Sequence, residues 1–329
     1  MTLPRTMRAW RVEALSDEGT MHRREVDLPV PGPDQHLLRV EAAGVAFGDT
    51  LIVRGRYQVK PPLPFTPGSD VVGRIVGDDA LAGTRVASST SRQGGFAEYV
   101  LVPRSEVVAI GDDTPAGAAL ALRSNFPTSL YALRHAAALK AGETLLVHAA
   151  AGGVGSAALL LGKRIGARVI ACAGGPAKAA ACAAMGADVA IDTQAGDWVD
   201  AVRAAAPGGV DVVYDPVGGE TGAQSLRCLA FGARYLVIGF AGGSLTALPA
   251  NRLLLHNASA IGVLWGEVRK RDAALSAQLT HEVYAAWRAG ELPLPPGRAF
   301  AFDEAPQALA ALAGRDSIGK VWLDLGALR

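Results

Sequence analysis

An apolar run from Leu145 to Ala149 leads straight into Ala150-Ala151-Gly152-Gly153-Val154-Gly155, and a helix-forming stretch begins at Ser156. Strand, glycine-rich turn and helix in that order form a GxGxxG fingerprint with alanine in its first place. Such glycines permit a tight turn, close backbone approach to a pyrophosphate, and helix–strand packing. The helix N-terminus adds unpaired N–H groups and a partial positive charge. Ala151, Gly152, Gly153, Val154 and Gly155 are therefore the expected phosphate contacts. The competing reading is a glycine-rich turn with no ligand.

The following strand, Arg168 to Cys172, bears on which dinucleotide would fit. An acid about 20 residues past the glycines would hydrogen-bond the ribose 2′-OH of NAD. Here that place holds Cys172, followed by Ala173-Gly174-Gly175-Pro176-Ala177-Lys178. Without a carboxylate, repulsion of a 2′-phosphate is removed, and a lysine offers it a point charge. Gly174 and Lys178 thus point to NADPH over NADH. A solvated helix lysine stays open as the other account of Lys178.

These groups need elements to position them. The chain has 329 residues, which at roughly 100–200 residues per domain predicts about two domains. With 39 Gly and 19 Pro, about 18% of the chain, it falls short of the ~25–30% of a low-complexity sequence. Residues 1–122 carry short β-type runs: Arg8 to Val12, Leu37 to Ala42, Val71 to Val76 and Phe96 to Val102. Turn clusters such as Pro29-Val30-Pro31-Gly32-Pro33 separate them. From 123 to 265, apolar strands ending at His148, Cys172, Asp192, Asp215 and Gly239, with another over Ala260 to Trp265, alternate with Ala-rich helices. That is the pattern of a parallel sheet covered on both faces. Asn125 is expected to cap a helix with Pro127 in its first turn. Residues 266–329 hold a helix over Asp272 to Arg288, a short helix capped by Asp303, and a closing strand, Lys320 to Leu325. They are expected to complete the first domain.

Net charge is +1, from 32 basic and 31 acidic residues, so no field for a polyanion is visible and nucleic acid is excluded as a partner. No membrane partner is expected either. The apolar window Leu145 to Gly162 is interrupted by His148 and glycines, short of the ~20 apolar residues of a spanning helix. Met1 to Trp10 lacks the apolar core of a signal peptide, and the expectation is a cytoplasmic protein. Cys172, Cys182 and Cys228 form no CxxC pair.

His148-Ala149-Ala150-Ala151-Gly152-Gly153-Val154-Gly155 resembles the quinone oxidoreductase branch of the medium-chain dehydrogenase/reductase superfamily. The likeness runs over essentially the whole chain. Gly44-Val45-Ala46-Phe47-Gly48-Asp49 stands where the superfamily has its first catalytic-domain motif. Pro64-Phe65-Thr66-Pro67-Gly68-Ser69-Asp70 is similar to the second, and Gly319-Lys320-Val321 to the closing strand. The resemblance implies an α/β architecture: a GroES-like β-barrel catalytic domain plus a Rossmann domain with a doubly wound parallel sheet, the active site in the cleft between them.

Zinc-dependent alcohol dehydrogenases of the superfamily carry an early Cys in the first motif and Gly-His-Glu in the second. Here Ala46-Phe47 and Gly68-Ser69-Asp70 occupy those places, all three cysteines lie beyond residue 170, and the six His (His22, His36, His135, His148, His256, His281) lack ligand spacing. No metal is expected. Without a Lewis acid for an alkoxide, the expected reaction is hydride transfer from NADPH to a small hydrophobic, electron-poor acceptor, either a quinone or an α,β-unsaturated carbonyl compound. Positioning and hydrogen bonding would supply the protein's share.

Tyr57 is the candidate hydroxyl of the site, with a packing role equally open. Asp49 resembles the family's acid at this place, as a loop-fixing group. Many zinc-free relatives have Asn where this chain has Ala46, and Asn125 with Thr128 could compensate. By resemblance Gly239, Phe240, Asn251 and Trp265 approach the nicotinamide, and Lys320 is a further cofactor contact. A homodimer through the edge strand near 260–265 is expected. Two alternatives stay open: an enoyl-thioester reductase using Arg252, Arg269, Lys270 and Arg271 as a basic track, and a dinucleotide-binding protein with little catalysis.

Overall fold

The computed structural model describes residues 3–57, 60–90 and 93–326. The chain forms two compact units, one of residues 1–124 with 296–329 and one of residues 125–295. Each has its own hydrophobic core.

The first unit opens with an antiparallel pair, β1 (Thr6–Arg11) and β2 (His22–Asp27). Its long strand β3 (Gln35–Val45) leads into the short helix α1 (Phe47–Ile52). The strands β4 (Asp70–Val76), β5 (Arg85–Ser89), β6 (Tyr99–Pro103) and β7 (Val108–Ala109) follow, and then helix α2 (Ala116–Leu130). Aliphatic residues, most of them β-branched, alternate inward along β3 to β6, so Leu38, Val40, Val71, Ile75, Val86 and Val100 meet Trp10, Phe96 and Phe302 in one core.

The second unit reads β8 (Thr144–Val147), α3 (Gly153–Ile165), β9 (Arg168–Ala173), α4 (Pro176–Ala184), β10 (Val189–Asp192) and α5 (Trp198–Ala205). It continues with β11 (Val210–Asp215), α6 (Gly219–Ser225), β12 (Leu229–Val237), α7 (Ala250–His256), β13 (Ser259–Gly262), α8 (Trp265–Arg271) and α9 (Ala273–Arg288). Six parallel strands stand in the order β10-β9-β8-β11-β12-β13, the doubly wound Rossmann arrangement. The central strands are continuous apolar runs because both faces are covered. Local chemistry sets the helix ends. Gly166, at φ +91°, closes α3 behind Lys163 and Arg164. Pro176 opens α4, and Asp197 accepts hydrogen bonds from the N–H groups of Val199 and Asp200 at the start of α5.

The chain then returns to the first unit. β14 (Arg298–Ala301), α10 (Ala305–Ala313) and β15 (Val321–Asp324) follow, and β15 pairs antiparallel with β3 to complete a seven-stranded sheet.

Four expectations need correction. Asn125 caps nothing: α2 starts nine residues earlier, its buried Leu120, Leu122, Phe126 and Leu130 carry it past this point, and Pro127 lies inside it. A proline there removes an N–H from the ladder, and directly downstream Tyr131–Ala136 winds as a π-helix. The strand expected over Ala260 to Trp265 ends at Gly262, and Trp265 begins α8. Residues 266–295, expected in the first unit, pack with the second. Asp303 does not cap α10; it pairs with Arg23, while Glu304 accepts from the Ala301 N–H.

Candidate active site and cofactor site

In the nucleotide unit the glycine-rich turn sits at the carboxyl end of β8, beside β11, where the strand order reverses and open α/β sheets bind ligands. Its three glycines have different reasons. A Cβ on Gly155 would lie 2.2 Å from the carbonyl oxygen of Ala149, so only glycine lets α3 close on the strand. A Cβ on Gly153 would lie 2.4 Å from Nδ2 of Asn125. Gly152 has only the Ala149 oxygen nearby, at 3.2 Å, and otherwise faces open space.

The first intrahelical bond is donated by the Ser156 N–H to the Gly152 carbonyl, 2.8 Å. The N–H groups of Gly153, Val154 and Gly155 are left without intrahelical acceptors, as at any helix start. This cradle fits a pyrophosphate: it is open beside Gly152, where an added side chain would project into it. Behind it, Ser129 donates to the Val154 carbonyl (3.0 Å) and meets the buried Tyr214 hydroxyl (2.9 Å). The turn is thereby tied to β11.

Gly174 is exposed in the loop after β9, and Lys178 is half-buried in the first turn of α4. The acid missing after β9 is supplied from the neighbouring strand. Asp192, at the end of β10, accepts from the N–H groups of Gly175 (2.7 Å) and Gln194 (2.9 Å). Its carboxylate is committed to shaping the loop. Another acid at a strand end, Asp215, is buried and accepts from the N–H groups of Val217 and Gly218 and from the Tyr235 hydroxyl. The loop so held lies under Phe240, because a Cβ on Gly218 would be 2.7 Å from that ring. Neither acid stood out in the sequence, although each ends a parallel strand on the ligand-binding edge.

The remaining expected contacts are dispersed. Gly239 and Phe240 follow β12 on that same edge. Trp265 is buried, its ring centroid 5.7 Å from Tyr131, and its indole nitrogen is sealed without a partner. Asn251 is exposed on α7 and makes no side-chain hydrogen bond among the described residues. Thr128 is half-buried in α2, two turns before the end of the π-helix. In α8, Arg271 (2.9 Å) and Lys270 (3.9 Å) pair with Glu267, so two members of the supposed basic track face a carboxylate of their own helix.

In the first unit three ionisable residues converge. Asp49 is buried in α1; Oδ2 accepts from the Ala46 N–H (2.8 Å) and Oδ1 from the Gly68 N–H (3.3 Å), so it ties the first motif to the second. Burial raises its pKa to about 6 against the pull of those N–H groups and of Lys320. The Tyr57 ring lies against Gly48, with Oη 3.9 Å from the position of a Cβ there, and burial with the Asp49 charge raises its pKa. Lys320, buried, completes the group.

Among the described residues no set of three His, Cys, Asp or Glu side chains is placed to hold a metal ion. All three cysteines are buried in the nucleotide unit, and burial pushes the Cys182 and Cys228 thiols up to about 11. No helix of the described residues is long and apolar enough to cross a membrane.

Residues 32–112 match the family model described as alcohol dehydrogenase GroES-like domain, and residues 153–280 that described as zinc-binding dehydrogenase. Quinone oxidoreductase-like protein 2 of Mus musculus is 35% identical over 301 residues, covering 89% of this chain and 86% of the relative. The chain belongs to the quinone oxidoreductase branch of the medium-chain dehydrogenase/reductase superfamily. The quinone oxidoreductase of Pseudomonas syringae superposes with a TM-score of 0.89 at 28% identity, covering 97% of this chain and 99% of that one. The quinone oxidoreductase of Thermus thermophilus, whose structure is also known as a complex with NADPH, gives 0.82 at 33% identity, covering 97% and 100%.

Proposed function

We propose that this oxidoreductase is a zinc-independent, NADPH-dependent reductase that delivers a hydride to a small hydrophobic acceptor, a quinone or an α,β-unsaturated carbonyl compound. The observation that carries the reading is the open cradle at Ala151–Gly155 on the ligand-binding edge of the sheet. In it Ala151, Gly152, Gly153, Val154 and Gly155 hold the pyrophosphate, and Gly174 with Lys178 receive the 2′-phosphate. Thr128, Gly239, Phe240, Asn251 and Trp265 are assigned to the nicotinamide half by family likeness.

NADPH supplies the hydride when bound. The chain's own residues fix geometry and exclude competing chemistry. Ser129 and Tyr214 hold the cradle against β11, and Asp215 holds the loop beneath Phe240. Asp49 locks the two motifs of the first unit together, with Tyr57 beside it as a hydroxyl for the acceptor.

We place the protein in the cytoplasm as a homodimer. β13 is an edge strand with three of its four residues exposed, and Leu254, Leu255 and Leu264 near it are exposed as well.

Turnover of NADPH with 1,4-benzoquinone and with an alkyl vinyl ketone tests the reading. Saturable oxidation is expected with at least one of them and not with crotonyl-CoA alone. A broad acceptor panel without turnover, while NADPH still quenches tryptophan fluorescence, would leave only a dinucleotide-binding protein.

A further inference from the structure

Lys320 enters β15 directly after Gly319, whose φ of +67° turns the chain into the strand. Its stem lies across β3. A Cβ on Gly44 would be 2.9 Å from both Cε and Nζ, so the bare backbone of Gly44 makes the bed for the lysine. The residue is only 5% exposed, yet its ammonium has no hydrogen bond or ion pair within 4.0 Å among the described residues.

The charged groups around it are already engaged. Asp49 on α1 faces it electrostatically and has both oxygens on backbone N–H groups. Asp70 on β4 accepts from the Ser89 hydroxyl at 2.6 Å. Tyr57 lies against Gly48 as a neutral hydroxyl, its pKa raised by burial and by the Asp49 charge. A buried cation is costly unless its donors are met. Three N–H donors held on a buried stem, with no acceptor among the described residues, are arranged for an oxygen that those residues do not provide.

We propose that the ammonium of Lys320 receives the acceptor's carbonyl oxygen and stabilises the negative charge that builds there during reduction. This rests on the reductase reading above. Hydride addition to the β-carbon of a conjugated carbonyl breaks the C=C π bond and moves an electron pair onto the enolate oxygen. On a quinone it leaves the monoanion of the hydroquinone. In both cases the new charge falls on an oxygen opposite the ammonium, and one proton from water completes the two-electron reduction, at the α-carbon or at the quinol oxygen. A preformed cation on a buried stem needs little reorganisation as the charge appears, which is how oxyanion donors accelerate such steps.

The test uses Lys320→Met and Lys320→Arg in the full-length protein, with three readouts. Tryptophan quenching gives the Kd of NADPH, steady-state kinetics give kcat at saturating NADPH, and the visible absorbance of 4-nitrophenol, below its solution pKa, reports its binding as the phenolate. Lys320→Met should lower kcat by about 100-fold or more and abolish phenolate binding, with the Kd of NADPH within about twofold of the parent. Lys320→Arg should keep phenolate binding. Weakened NADPH binding with unchanged kcat would overturn the proposal in favour of a cofactor contact, and no change in any readout would overturn it in favour of a structural charge. A parent protein that binds phenolate through Lys320 but reduces no acceptor would support the oxyanion site and sink the reductase reading. Turnover without phenolate binding would do the reverse.

Discussion

The carbonyl oxygen of Ala149 lies 2.2 Å from where any side chain on residue 155 would have to place its Cβ. Gly155→Ala must therefore push α3 away from β8 and is expected to cost several degrees of Tm along with NADPH affinity. Gly152→Ala meets only one oxygen, at 3.2 Å, and projects into the phosphate space. It should leave Tm nearly unchanged while raising the Kd of NADPH by about tenfold or more, as expected when a charge-assisted contact of ~1.5–3 kcal/mol is lost. Thermal melts and fluorescence quenching of the two variants separate packing from binding.

Lys178 and Asp192 set opposite charges beside the loop that follows β9. Lys178→Ala should raise KM for NADPH by about tenfold or more and leave KM for NADH nearly unchanged. Asp192→Asn keeps an oxygen for the Gly175 and Gln194 N–H groups while removing the negative charge. It should shift the KM ratio further toward NADPH. Equal effects on both cofactors would remove the argument for the 2′-phosphate.

Burial raises Asp49 to about 6 from an ordinary 3.8, so the folded protein holds this proton more tightly than the unfolded chain. Its contribution to stability is whole below pH ~4 and is lost as pH rises through about 6, a difference of about 3 kcal/mol at most. Asp49→Asn cannot titrate. The stability of the parent minus that of the variant, from urea unfolding at pH 4, 5, 6 and 7, should fall along this window; a flat difference would contradict the burial argument. The other acids cancel in the subtraction.

Leu254 is 80% exposed on α7, and Ile261 sits in the edge strand β13. If this edge pairs two copies, Leu254→Glu with Ile261→Lys should yield a folded monomer. Light scattering after size exclusion reads the mass, and circular dichroism confirms that the fold is kept. A parent protein that is monomeric at micromolar concentration would refute the homodimer.

Features that depend on neighbours along the chain were legible in the amino-acid order alone. The turn at Ala150–Gly155 could be placed between a strand and a helix because apolar continuity, glycine and helix propensity are local properties. The same holds for the alternation of β8 to β12 with helices, and for the start of α9 at Asp272. The missing acid after Arg168 to Cys172 was likewise visible without a structure.

What only the tertiary structure decided concerns partners distant in sequence. Asn125 and Pro127 look like a helix start, but the buried stripe from Leu120 to Leu130 extends the helix through them, because packing outweighs a single cap. Asp192 reaches the loop after β9 only because parallel strands bring consecutive carboxyl ends together. Lys320 reads in the sequence as one more lysine near the end of a chain. The pairing of β15 with β3 lays it over Gly44 beside Asp49, and burial, which no single residue carries in its own identity, makes a charge there costly unless its donors are met.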